Sequence, residues 1–418
     1  MGISFLIPIL VSGVGGFLLF RLSGLFLLHP ISTASQMIYG LEDGASRSAF
    51  TLALAGTLGV GNIFGVAAGI IIGGPGVVFW IFLSSIFAMV IKYAETLLVL
   101  DVGESRGGTA AMLGRVFSNY SRPVSLIYAA LTVLLSLSMG AVMQGSALIH
   151  SVGQGVPISQ PTIVLILLSA FIATVVGGSS RIEKITEYVI PMTTAVYIIM
   201  CFSVIIVNRA QLLPAIKCVV FSAFNFRSIS GGLSFVVIKE GFARGILSNE
   251  AGTGTSAMAH SRAKKRSPHT AGLFAMCEVL FDSVILCTLT GFTILVSVPN
   301  YFEFSDPMTL VAEAFSKVLF GIFSPFLPFV IFAFAFSTII CWYYYGSECI
   351  EVYFPYARRV FPLTFIISLA ISYLISPISL IFFTDIILLF MSLLTLSAII
   401  SRIDRISEIY RNNNKTRT

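Results

Sequence analysis

Charge is what this sequence has least of. Only 11% of its 418 residues are Asp, Glu, Lys or Arg, where a soluble domain carries about 25%. So few charges leave little to show to water, which excludes a soluble enzyme, a nucleic-acid binder and a disordered chain. Several chemistry-bearing patterns are also missing. There is no GxxxxGK[ST] phosphate loop, no HExxH helix and no nucleophile elbow, which argues against ATP-driven transport and intramembrane hydrolysis. The six cysteines (Cys201, Cys218, Cys277, Cys287, Cys341, Cys349) include no close CxxC pair. They sit mostly in or beside apolar stretches and read as small buried hydrophobes, not as metal ligands or disulfide partners. The chain opens Met1-Gly2-Ile3 without a basic leader, so its first apolar segment does not read as a typical signal peptide.

What is present is apolar: 56% hydrophobic residues, 36 of the residues Phe, and a mean hydropathy of +0.96. The apolar residues run in stretches of about 20, which cross a ~30 Å hydrocarbon layer as a helix and are too long for barrel strands. The expected fold is an all-α polytopic membrane protein with about eleven transmembrane helices. They fall near 3–28, 49–73, 76–100, 124–150, 161–178, 187–208, 231–262, 270–298, 318–346, 361–376 and 377–400. Pro377 is the only clear divider of the last pair.

The net charge of +6 reflects basic residues kept on the cytoplasmic side. Arg262, Lys264, Lys265 and Arg266 mark one inner connection. Arg402, Arg405, Arg411, Lys415 and Arg417 mark an inner tail. Glu303, Asp306 and Glu313 suit the outside. Alternation then puts the N-terminus outside and the C-terminus in the cytoplasm of a cell (inner) membrane. Arg209, Lys217 and Arg227 fit poorly, because their connection falls outside.

Two segments depart from a continuous apolar helix. The first is Ala55-Gly56-Thr57-Leu58-Gly59-Val60-Gly61-Asn62, whose glycines each weaken a helix by ~1 kcal/mol relative to Ala. The second is Ser248-Asn249-Glu250-Ala251-Gly252-Thr253-Gly254-Thr255. Glycines in one membrane helix are often only a close-packing surface. Two such stretches five spans apart, each with an asparagine, instead predict interrupted helices, whose bare backbone is tolerated where it lines a cavity. Residues 1–48 then form an extra N-terminal helix with its cytoplasmic connection, and 49–230 and 231–400 form two five-helix repeats. Residues 401–418 form a basic cytoplasmic tail. This is the layout of an inverted-repeat secondary transporter, with cargo held between two discontinuous helices.

Around these breaks the chain resembles the alanine/glycine:cation (sodium:alanine) symporter family. The matching residues are Gly59-Val60-Gly61-Asn62-Ile63-Phe64-Gly65-Val66, Gly73-Gly74-Pro75-Gly76 and Lys92-Tyr93-Ala94-Glu95. They continue with Ser248-Asn249-Glu250-Ala251-Gly252, Asp282 through Thr290, and Phe334 through Trp342. The resemblance runs in order from about 50 to 350. It implies a LeuT-type five-plus-five fold and symport of a small amino acid with sodium, protons serving in some members. Val60 stands where the family usually has a hydroxyl residue, Ala141 where Asn commonly follows Gly140, and Thr253 where an apolar residue is usual.

The residue chemistry of the breaks points the same way. Backbone N–H groups from Thr57 to Gly61, at the start of a half-helix, suit a carboxylate. Asn62 offers both an acceptor and a donor. Acceptors for an ammonium are expected from carbonyls around Leu247–Gly252 and from the hydroxyl of Thr338. Trp342, one turn beyond Thr338, would close over a small side chain. Taken with what the resemblance implies, which places Gln144, Thr338 and Trp342 at the family's substrate site, the expected substrate set is Thr57, Gly59, Gly61, Asn62, Gln144, Asn249, Gly252, Thr338 and Trp342. Sodium prefers hard oxygens, and the carbonyls of Ala55 and Leu58 with the hydroxyls of Ser337 and Thr338 supply four. An isolated Ser-Thr pair would otherwise bond back to its own helix.

Glu250 is a candidate for proton coupling or gating, against a structural pairing with Arg244 or Lys239. Lys92 and Glu95 are expected near a helix end, pairing or reaching the surface. His260 and His269 are expected to be solvated beside the basic loop. The expected function is sodium-coupled uptake of alanine or glycine by a chain embedded in lipid, without an organic cofactor. The alternatives are a proton-coupled or exchange transporter of another small amino acid and, in a different class, an ion channel or transporter-like receptor.

Overall fold

The computed structural model describes residues 6–22, 44–102, 107–155, 158–224, 232–261, 267–316 and 326–415, and among these there is no strand. The first helices are α1 (Leu6–Arg21), α2 (Gly44–Thr57), α3 (Gly61–Gly73) and α4 (Val77–Asp101). A short α5 (Gly108–Val116) leads to α6 (Ser118–Gly153), α7 (Gln160–Val175), α8 (Gly178–Val207) and α9 (Arg209–Phe224). The second half has α10 (Gly232–Asn249), a single turn α11 (Ala257–His260), α12 (Pro268–Ser297) and α13 (Pro307–Ser316). It ends in α14 (Phe326–Tyr353), α15 (Phe361–Leu374), α16 (Pro377–Ser401) and α17 (Ile403–Lys415).

The boundaries follow from local chemistry. Ser159 and Ser267 cap α7 and α12 by accepting from the N–H groups of Thr162 and Thr270, with Pro161 and Pro268 in the first turns. Proline is favoured there because its missing N–H would have no helical partner anyway. Gly74, with φ 78°, closes α3. Gly76 lets the following turn meet α9, since a Cβ would fall 2.5 Å from the Ala223 nitrogen.

Of the roughly eleven spans expected, up to seven are shown among the described residues. Six helices (α4, α6, α8, α12, α14, α16) are long and apolar enough to cross a bilayer, and α2 with α3 makes a seventh, bent by 49°. α1 and α7 have 16 residues each, about 24 Å at 1.5 Å per residue, short of the ~30 Å core. Connections read as loops contain helices α5, α9 and α13, and the tail forms α17. The basic run 262–266 and Arg227 lie outside the described residues.

α4 is the axial helix. It packs along α12 and α10 and also touches α1. α14 packs against α2, α6 and α8. Phe20, Ile199, Phe221 and Phe390 are exposed, as a lipid-facing surface requires. At one end, α17 is tied down by Arg405, which donates to both oxygens of Asp101 at 2.8 and 3.0 Å. Arg21 holds Asp404 at 2.7 Å.

Candidate functional site

The first break begins where the α2 ladder runs out. Leu58 N–H still reaches Leu54 O, but the Gly59 N–H turns to Thr57 O at 2.8 Å. The carbonyl of Ala55 thereby loses its helical donor. Thr338 Oγ1, on α14, lies 3.0 Å from Ala55 O, 3.3 Å from Leu58 O and 3.0 Å from Phe334 O. One hydroxyl proton cannot satisfy three acceptors, so this buried spot holds an excess of oxygen lone pairs. Ser337 is turned elsewhere: its Oγ donates to Ala333 O at 2.7 Å. Of the expected sodium ligands, three converge and Ser337 faces its own helix. Thr57 bonds back to Leu54 O at 3.2 Å.

The other expected residues gather one layer away. A Cβ on Gly59 would lie 3.1 Å from Thr338 Oγ1 and 3.2 Å from both Gln144 amide atoms. On Gly140, one turn before Gln144, it would lie 2.3 Å from the Cβ of Trp342. Two glycines thus let α2 and α6 close on α14. Gln144 Oε1 and Trp342 Nε1 are buried and have no hydrogen-bond partner, which is costly unless a ligand supplies one. Gly61 is exposed while residues 49–60 are all buried, and nothing lies within 4 Å of its Cβ direction. Its N–H and that of Asn62 open α3 and lack intrahelical acceptors.

Asn62 turns towards α12. Its Nδ2 donates to Asp282 Oδ1 at 2.5 Å, and its Oδ1 accepts from Ser248 at 2.9 Å. Ser248 also reaches Asp282 Oδ2 at 3.1 Å, and Ser283 donates to the same oxygen at 2.6 Å. This network ties the first break to α10 and α12. Three π-helical stretches, Gly61–Gly65, Ser136–Met143 and Leu280–Cys287, carry Asn62, Gly140 and Asp282. Such wide turns recur at functional positions. Their wider, underwound turns follow no period the sequence shows, so the sequence singles out Asn62 but not its pairing with Asp282.

The second break is closed. Asn249 donates to Gly245 O at 2.6 Å and accepts from Ala251 N at 3.0 Å, shaping the turn. Glu250 has φ 55°, and its carboxylate accepts from Thr255 at 2.7 Å. The pairing with Arg244 or Lys239 does not occur, because both of those face Glu240. Gly252 faces Val11 of α1 and Ser392 and Leu396 of α16. The carbonyls of Thr253 and Gly254 accept from Tyr128 and Thr109 at 2.7 and 2.6 Å.

Lys92 and Glu95 are not near the surface; both are 0% exposed. Lys92 donates to Ser256 Oγ at 2.7 Å and lies 3.7 Å from Glu278. His260 and His269 are buried too: His260 bonds Glu278, and His269 Nδ1 and the Tyr93 hydroxyl share a hydrogen bond at 2.8 Å. The basic loop predicted solvent for them, but α11 and α12 pack both rings inward. Among the described residues no group of three His, Cys, Asp or Glu is placed to hold a metal ion. The oxygen set around Thr338 is of a different kind.

The sodium/alanine symporter AgcS of Methanococcus maripaludis is 29% identical over 363 residues, covering 82% of this chain and 79% of the relative. The probable sodium/glutamine symporter GlnT of Bacillus subtilis is 31% identical over 359 residues, covering 82% and 73%. The putative sodium/proton-dependent alanine carrier YrbD of Bacillus subtilis is 31% identical over 333 residues, covering 74% and 68%. The sodium:alanine symporter family model matches residues 2–417, and the chain belongs to that family.

Proposed function

We propose that this protein carries a small neutral amino acid, alanine or glycine, together with sodium by alternating access. The observation that carries the reading is the Thr338 hydroxyl opposed to the bare carbonyls of Ala55 and Leu58 at a helix break. Sodium would sit among these three oxygens, with Ser337 joining by rotating away from Ala333. The substrate carboxylate would take the N–H groups from Gly59 to Asn62 at the positive end of α3. Its ammonium would take Gln144 Oε1, and Trp342 would bound the side chain. Asn62 acts through Asp282, and Asn249, Glu250 and Gly252 shape the opposite break without meeting the substrate.

The same reading takes the architecture as eleven spans in a LeuT-type five-plus-five arrangement. α2/α3 and α10/α11 open the repeats 49–230 and 231–400, α1 is the extra helix, and α17 lies in the cytoplasm. Supporting it are the two interruptions at corresponding positions and the short helices, which a locally thinned bilayer accommodates.

The test is uptake into proteoliposomes of alanine, glycine, D-alanine and glutamine, each with an inward sodium gradient or with choline. Sodium-driven accumulation of alanine or glycine is expected. Equal uptake in choline, or preference for glutamine, would overturn the ion or the cargo respectively. A proton-coupled or exchange mode is the second reading, favoured by the buried His260–Glu278 contact. A proton gradient without sodium separates it.

A further inference from the structure

A lysine in the interior of a membrane protein is costly unless its ammonium is answered. Lys92 is 0% exposed. It stands nine residues before the end of α4 at Asp101, about 14 Å along the axis at 1.5 Å per residue. A lysine stem is too short to carry its charge that far to water. The ammonium instead donates to Ser256 Oγ at 2.7 Å and faces Glu278 Oε2 of α12 at 3.7 Å.

These contacts meet at α11. Ser256 stands immediately before this single turn, and His260 is its last residue. The His260 ring bonds Glu278 Oε1, so one carboxylate takes His260 with one oxygen and faces Lys92 with the other. Lys92, Ser256, His260 and Glu278 thus close a ring of side chains, every one of them buried. The ring fastens one end of α11 to α4 and the other to α12. Upstream, the turn is already stitched. The Glu250 carboxylate accepts from Thr255, and the carbonyls of Thr253 and Gly254 accept from Tyr128, Thr395 and Thr109. The two breaks are therefore finished differently. At the first, acceptors outnumber donors and a cation has to come from solution. At the second, the cation is part of α4.

We propose that Lys92 is the resident cation of the second break. It is a positioning residue that, with Glu278, holds α11 in one place whether or not sodium is bound at the first break. An ammonium on a side chain cannot exchange with solvent, so its hold does not vary with the sodium concentration. Its bond to Ser256 is charge-assisted and stronger than one between neutral groups. Glu278 supplies the opposite charge that a buried ammonium requires. The clasp does not depend on which cargo is carried; its part in turnover rests on the transport reading.

The experiment is hydrogen exchange on the purified full-length protein in sodium and in choline, followed by reconstituted uptake. In wild-type protein, peptides covering 250–261 should exchange alike in both salts. The variant is Lys92→Met combined with Glu278→Gln, which removes both charges together and leaves His260 a hydrogen-bonding partner. Its thermal midpoint should lie above that of Lys92→Met alone, which strands a buried carboxylate. Peptides covering 250–261 should nonetheless exchange roughly tenfold faster than in wild type. Maximal alanine uptake should fall roughly tenfold, because conformational steps set turnover, with half-saturating sodium changed by less than about twofold. Wild-type exchange at 250–261 in the double variant would overturn the proposal, as would wild-type peptides that lose protection when sodium is withdrawn. A shift in half-saturating sodium that matches the loss of rate would place the effect at the first break and also overturn it. If the double variant does not fold, Ser256→Ala removes the acceptor alone. The same local loss of protection is then expected, and wild-type protection would refute the clasp. If wild-type protein transports nothing, the transport reading fails, and the exchange arm still decides the clasp.

Discussion

The hydroxyl of Thr338 lies 3.0 Å from the carbonyl oxygen of Ala55, across the gap between α14 and the end of α2. Neither residue is exposed, and the same hydroxyl meets two further carbonyls. Facing lone pairs in a dry interior are unfavourable, and a hard cation relieves them.

Thr338→Val keeps the side-chain shape and deletes the oxygen. The sodium concentration for half-maximal amino-acid binding is expected to rise at least tenfold, ~1.4 kcal/mol of site affinity, with Thr338→Ser close to wild type. A sodium titration of alanine binding to purified protein reads this out. An unshifted curve for Thr338→Val would remove the ion from this position.

Asn62→Ala takes the 2.5 Å donor away from the buried carboxylate of Asp282. Leaving such a group short of a partner costs about 1–3 kcal/mol, so the thermal midpoint without sodium or substrate should fall. Asn62→Asp should fall further, because it sets two carboxylates against each other. Midpoints equal to wild type would show that Ser248 and Ser283 satisfy Asp282 alone.

Gly140→Ala drives a methyl group into Trp342, whose Cβ would be 2.3 Å away. Overpacking of this kind costs about 1–3 kcal/mol, and the displaced indole should raise KM for alanine and glycine. Gly61→Ala is the contrasting change, since nothing lies within 4 Å of the added carbon. Its stability should stay within about 0.5 kcal/mol, while alanine uptake falls more than glycine uptake. Equal effects on both substrates would place the cargo away from Gly61.

Arg405→Ala opens the clasp between α17 and α4. The guanidinium is 47% exposed, so the change should cost only about 0.2–1 kcal/mol and shrink at high salt. Hydrogen bonds to Asp101, then Glu408, push the guanidinium above its ordinary range, so it stays charged at any working pH. Thermal midpoints in low and high salt measure the effect, and a salt-independent loss of several kcal/mol would show that α17 is held by more than this pair.

Much of the site was legible from residue type. Three glycines in Gly56–Gly61 weaken a helix wherever they stand, so the first interruption was visible before any packing was known, and the family resemblance supplied Thr338 and Trp342 as its neighbours. Gly252 and Gly254 announced the second interruption equally well, but not what would answer it. The donors Thr109, Tyr128 and Thr395 come from α5, α6 and α16, far apart in the chain, and no local pattern links them to the carbonyls of Thr253 and Gly254. Lys92 and Glu95 were expected to pair or to reach the surface; both are buried and Lys92 pairs, because Ser256 and Glu278 arrive from segments far along the chain that no local pattern links to α4.

The sequence alone determined that this chain lives in a membrane, that its spans are helical and that two of them lose their ladder, because hydrophobic length and glycine content act locally. Tertiary structure decided which break stays open and which is sealed. That choice depends on where distant hydroxyls and carboxylates arrive, and a bare peptide group in a water-free interior must be answered by whichever side chain the packing brings to it.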